Sequence, residues 1–256
     1  MSEEIKSLMQ ETLNAQSNQL LNQIYTAIPC IVVSVVQNLE TCVVNIQPTV
    51  NQKLKDGTVS ERTVILGVPV SFPASSSAAF TFPINPGDTG TAIFSMRSLD
   101  AWKVSSGKPS TPMNYAKFDK GDAIFYPGLQ PPGVSINNPA KRTWPHDTQD
   151  AVMVNNIGTP SEVEVRLKSN GDVQVNTSRN VIVNCDTAQV VANTSVSINT
   201  PTLDIDAATT NWYGTFNLYG PLNHSGNYSS TGGTSTFNGV VFDNHVHGSS
   251  PGPSNP

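Results

Sequence analysis

The stretch Glu162-Val-Glu-Val-Arg-Leu-Lys-Ser-Asn-Gly-Asp-Val-Gln-Val-Asn-Thr-Ser-Arg-Asn-Val-Ile-Val183 decides the fold. Its apolar residues recur one position apart, as Val163/Val165, Val173/Val175 and Val181/Val183. In an extended backbone such pairs point to one face. The pattern continues with Val190 and Val191, Val196/Ile198 and Leu203/Ile205. Asn-Gly, Thr-Ser-Arg-Asn and Asn-Thr fall between the pairs and supply turn chemistry. Strand starts come too close together for most solenoid coils. A single-chain β-helix would fall short of the roughly three stacked repeats that such a fold needs. An intertwined trimer, with one strand per chain in each layer, closes every sheet edge. The segment is therefore read as part of a trimeric triple-stranded β-helix.

Four carboxylates sit in this pattern. Glu162 and Glu164 alternate with Val163 and Val165, and Asp204 and Asp206 with Leu203 and Ile205. Alternation predicts that all four face solvent. Paired carboxylates can hydrolyse glycosides, but solvated acids are the ordinary outcome on such strands, and the chain is not expected to be an enzyme. His146, beside Asp147, lacks an identifiable nucleophile, and no G-x-S-x-G motif accompanies it. It is read as a structural residue tying barrel to shaft, and His224 as a turn residue.

Upstream, residues 3–27 are predicted helical. Ile5, Leu8, Met9, Leu13, Leu20, Leu21 and Ile24 keep rough helical spacing, and Ile28-Pro29 ends the run. The stripe is narrow and suits docking on a neighbour. Residues 30–126 read as a small β domain. Cys30–Val36 and Thr41–Ile46 form a hairpin signal; Val64–Val70 and Thr89–Ser95 follow as further strands, Ser98–Trp102 as a helical turn, and Ala123–Tyr126 as a last strand or a turn. This spacing suits a small closed barrel such as an OB-fold. Residues 127–150, rich in Pro and Asn, form a connector.

Downstream, residues 211–242 space glycines between aromatics, from Trp212 and Gly214 to Gly239 and Phe242. That composition suits a tapering shaft whose chains approach closely. The chain ends on Val240-Val-Phe-Asp-Asn-His-Val-His-Gly248 and eight further residues. His245 and His247 share a face if the backbone is extended. Two imidazoles are too few for a tight structural site, but three chains around a threefold axis would supply six nitrogens. A solvated pair in a frayed tail is the bland alternative.

Composition sets outer limits. Charged residues make up 13% of the 256 and hydrophobic residues 37%, both low for a globular chain. Net charge is -5, and the 77 residues after Arg179 carry no Lys or Arg. No nucleic-acid footprint and no cationic membrane-surface helix follow from that balance. No run reaches the 18 or so apolar residues of a transmembrane helix, and Met1-Ser-Glu-Glu-Ile-Lys6 lacks the features of a secretory signal. Cys30, Cys42 and Cys185 show no metal-like spacing.

The order of parts resembles the central membrane-piercing spike of contractile phage tails. Val68-Pro-Val-Ser-Phe-Pro73 with Thr81-Phe-Pro-Ile-Asn-Pro-Gly-Asp88 looks like that family's barrel signature, and Ile93–Trp102 extends it. Lys141-Arg-Thr-Trp-Pro-His-Asp-Thr-Gln-Asp-Ala151 is similar to its connector, and His245-Val-His-Gly248 to its tip. The resemblance implies a mainly β chain divided into an N-terminal helix (1–28), an OB-fold barrel (29–127), a connector (128–160), a triple-stranded β-helix shaft (161–241) and a metal-binding tip (242–256). It further implies one iron ion held octahedrally by His245 and His247 of three chains. The partners it implies are two more copies, a baseplate hub or tail tube protein at the N-terminal end, and the host outer membrane, at the distal end of a virion's tail. A polysaccharide-degrading or receptor-binding tailspike, or the spike of a related contractile injection system, is the alternative.

Overall fold

The computed structural model describes residues 3–38, 41–54, 56–227, 229, 231–233, 236, 237, 240 and 241. The chain is mainly β and separates into two compact units, residues 1–184 and 185–256.

The first unit begins with α1, Glu3–Gln23. It ends four residues before the expected boundary, because Ala27 already belongs to β1, Ala27–Asn38. β1 pairs antiparallel with β2, Thr41–Pro48. A two-residue hairpin follows, β3 (Gln52–Lys53) with β4 (Val59–Ser60), turned at Gly57. Next come β5 (Ile65–Pro69), β6 (Thr89–Phe94) and, after the short helix α2 (Asp100–Lys103), β7 (Ala123–Pro127). The strands order as β5-β2-β1-β6-β7. The sheet curls back on itself: Val70, just past β5, bridges Phe125 of β7 in parallel, and the Ser71 amide donates to the Phe125 carbonyl at 2.9 Å. Five strands with this closure make the curl OB-fold-like.

Alternation fills its interior. Cys30 and Val32, Val44 and Ile46, Ile65 and Val68, Ala92 and Phe94, and Ala123 and Phe125 all point inward and are buried. Burial pushes the Cys30 thiol up to about 11, partly opposed by the Ala92 amide, so this cysteine behaves as a small apolar core residue. Gly90 is where β6 crosses closest to β7. A Cβ there would lie 2.6 Å from the Phe125 ring and closer still to the Tyr126 carbonyl oxygen. Only glycine lets the two strands meet.

A second sheet of this unit joins β8 (Ala151–Asn155), β9 (Val163–Leu167) and β10 (Val173–Thr177), all antiparallel, in the order β10-β9-β8. The segment expected as a connector at 128–160 thus ends in a strand. Asn170-Gly171, read as turn chemistry, closes the β9–β10 hairpin with Gly171 at φ 93°.

In the second unit, residues 185–227 carry no helix and no strand pairing. Two-residue strands β11 (Thr236–Phe237) and β12 (Val240–Val241) form the other regular structure described there. No helix among the described residues is long and apolar enough to cross a membrane.

Candidate functional site

The three-stranded sheet carries its polarity the opposite way round from the expectation. Glu162 and Glu164 do not face solvent; each is only 1% exposed. The cause is the connector, which lies against their side of the sheet. The Glu162 carboxylate accepts from the amides of Gly158 and Thr143. Burial pushes this carboxyl up, but those amides, the Trp144 amide and the charge of Arg142 outweigh it, so it lies below the ordinary glutamate range. Glu164 is ion-paired with Arg166 and accepts a further bond from the Asn176 amide group at 2.7 Å. The Arg166 guanidinium also donates to the carbonyls of Trp144, at 3.0 Å, and Pro145, at 3.3 Å. Arg142 donates to the Ile136 carbonyl at 3.0 Å, and the ring Nε2 of buried His146 meets Asn137 Oδ1 at 3.2 Å. These groups bind the connector to the sheet. Their charges and hydrogen bonds are turned onto the chain itself, so the glutamates do not form an open acid pair.

The other face of the same sheet is apolar and open. Register places Ala151, Leu167 and Val173 side by side in one cross-strand row, and Met153, Val165 and Val175 in the next. Leu167 is 55% exposed, Val173 69% and Met153 57%. The barrel loop approaches one part of it: Phe80, Phe82 and Pro83 line a groove together with Met153, Val163 and Val165. Adjacent apolar rows of this kind across three strands mark an interaction surface rather than scattered surface residues. The second unit continues the theme. Val190, Val191, Val196, Ile198, Leu203 and Ile205 are all exposed, as are Trp212, Phe216 and Leu218. Asp204 and Asp206 are exposed as well.

The remaining expected positions fall as follows. His146 lies in the connector packing just described, and His224 is exposed. His245 and His247 lie outside the described residues. Among the described residues, no group of three or more His, Cys, Asp or Glu side chains gathers as a metal site. The side chains of His245 and His247 are imidazoles, a donor type that suits iron among other first-row ions. Sequence reasoning missed the Arg142–Glu162 and Arg166–Glu164 packing.

Residues 28–128 match the family model described as the phage protein Gp138 N-terminal domain. Over its barrel, this chain is similar to a phage structural protein. The matched span coincides with the curled sheet β1 to β7 and supports a mainly β virion component. No curated protein matches the chain.

Proposed function

We propose that the chain is the central spike of a contractile phage tail, working as a homotrimer that is driven mechanically through the host outer membrane. The observation that carries this reading is the open apolar face of the sheet β8–β10, where Leu167, Val173 and Met153 are exposed, together with the exposed apolar residues of the second unit. One copy lays the loop carrying Phe80, Phe82 and Pro83 on part of that face, and two further copies around a threefold axis would cover the rest. The phage-type barrel match gives the setting. The reading assigns the barrel end to a baseplate hub or tail tube protein and the opposite end to the membrane.

The work of such a spike is structural. A shaft rich in Thr, Ser and Asn, with no Lys or Arg after Arg179, offers little charge attraction to anionic lipopolysaccharide. The ends of three chains are where fraying would begin. His245 and His247 of each copy would hold the iron, which when bound cross-links the three ends. The chain's own role there is to deliver two imidazoles per copy, six at one point in the trimer.

Elemental analysis of the purified full-length protein tests this. One transition-metal ion per three chains is expected, lost in the double variant His245→Ala/His247→Ala while the barrel stays folded. A metal-free protein that shortens host lipopolysaccharide or capsule would replace the spike with a degrading tailspike.

A further inference from the structure

Beside the exit of α1, the barrel surface carries a groove built around an arginine. Two cavities of about 160 Å3 each meet there and share Tyr25, Gln52 and Arg62 as lining residues. Arg62 is fixed at two points. Its Nε donates to the Val50 carbonyl at 3.1 Å, and its guanidinium carbon lies 5.7 Å from the centre of the Tyr25 ring. Tyr25 is fixed in turn. Its ring packs on Phe94 with centroids 5.2 Å apart, and its amide donates to the Phe118 carbonyl at 3.1 Å. An arginine held through Nε and through its flat face keeps the two terminal nitrogens of its fork for another group.

Phe118 shapes the segment that completes the groove. Its φ of 52° lies in the left-handed region, a costly conformation for a bulky side chain. Strain of this kind collects where a binding group must be held in place. The group here is Lys120, which lines the groove together with Arg62. The acids of the same segment are engaged with backbone. Asp119 Oδ1 accepts from the Gly121 amide at 2.8 Å, and Asp122 Oδ1 from the Leu99 amide at 2.7 Å. The ion pairs among the described residues are Glu164–Arg166 and Lys168–Asp172, so neither Arg62 nor Lys120 is paired with a described carboxylate. Glu61 also lines the groove and is exposed, which leaves two cations against one acid.

We propose that this groove is a carboxylate receptor, in which the Arg62 fork grips an Asp or Glu side chain of a partner protein and Lys120 adds a second positive charge. The planar fork matches the two oxygens of a carboxylate. A phosphate is better served by a glycine-rich turn of backbone amides, and neither cavity is lined by glycine. Past Tyr25 the groove runs on to Ile24, Ile28 and Phe94, which seat an apolar neighbour of that acid. The identity of the partner, the hub or tube protein at the barrel end, rests on the spike reading; the chemistry of the groove does not.

Nuclear magnetic resonance of the full-length chain, with isotope-labelled arginine side chains, tests it. Glutarate is the probe, since each of its ends copies a glutamate side chain. It is expected to move the Arg62 Nε–H signal along a saturating curve, and inorganic phosphate to move it several-fold less at equal concentration. Arg62→Lys identifies the signal by deleting it. Lys120→Ala is expected to weaken the glutarate response several-fold, and Glu61→Gln to strengthen it; both side chains are exposed, so the fold is not at risk. A shift linear in glutarate, or one that neither variant changes, overturns the receptor. An equal or larger response to phosphate overturns the assignment to a carboxylate. The titration reads the groove whether the solution mass is that of three chains or of one, so a monomeric mass removes the trimer without deciding this result.

Discussion

Glu164 and Arg166 are the residues on which reading and structure part most clearly. Their alternation with valines showed that β9 has two unlike faces, but it could not say which face a single copy buries. The connector made that choice, by presenting backbone carbonyls that need donors. Removing one member leaves the other buried and uncompensated, so Glu164→Leu should cost about 3–5 kcal/mol. Adding Arg166→Met to it should recover most of that loss, and a double-mutant cycle in urea measures both. Glu162 makes a pH prediction. Its folded carboxyl lies below the ordinary range, so its contribution is complete above the unfolded value of ~4.3. The contribution is lost as pH falls through the depressed folded value. Unfolding curves taken from pH 6 to 3 should therefore fall less steeply for Glu162→Gln than for the native chain.

Among the elements, the barrel was the most legible. Four of its main strands were readable from apolar runs bounded by Gly, Pro and Asn, Thr89–Phe94 to within a residue, and the stretch left as a strand or a turn is the strand Ala123–Pro127. The β3–β4 hairpin escaped because two polar residues per strand carry no periodic signal. β8 escaped because Pro and Asn before it marked the whole region as a connector. The sheet β8–β10 carries the sharpest test at this scale. Val175 is exposed at the β10 end of the row it shares with Val165 and Met153, so Val175→Glu puts a charge on the open apolar face. If copies meet on that face, the substitution should block assembly while the barrel keeps its thermal transition. An unchanged assembly state would mean that the face is an ordinary wet surface.

At the scale of the whole molecule, sequence and structure read different things. In the proposed trimer the valine pattern after residue 180 would mark burial in the assembly, whereas exposure reports burial in one copy. A chain that completes its core only with its neighbours shows apolar side chains in solvent when taken alone, as Val181 to Ile205 do. On the same proposal the segment reads as a repeat but shows no paired strands in one copy, because the partners of its strands would lie on other chains. The expectation at His245 and His247 rested on their spacing and on the family resemblance, and both residues lie outside the described ones.

The mass of the purified full-length chain in solution, by sedimentation or light scattering, tests the central claim most directly. Three times the chain's 27.3 kDa is the expected result. A monodisperse species of 27.3 kDa with a folded C-terminal half would contradict it.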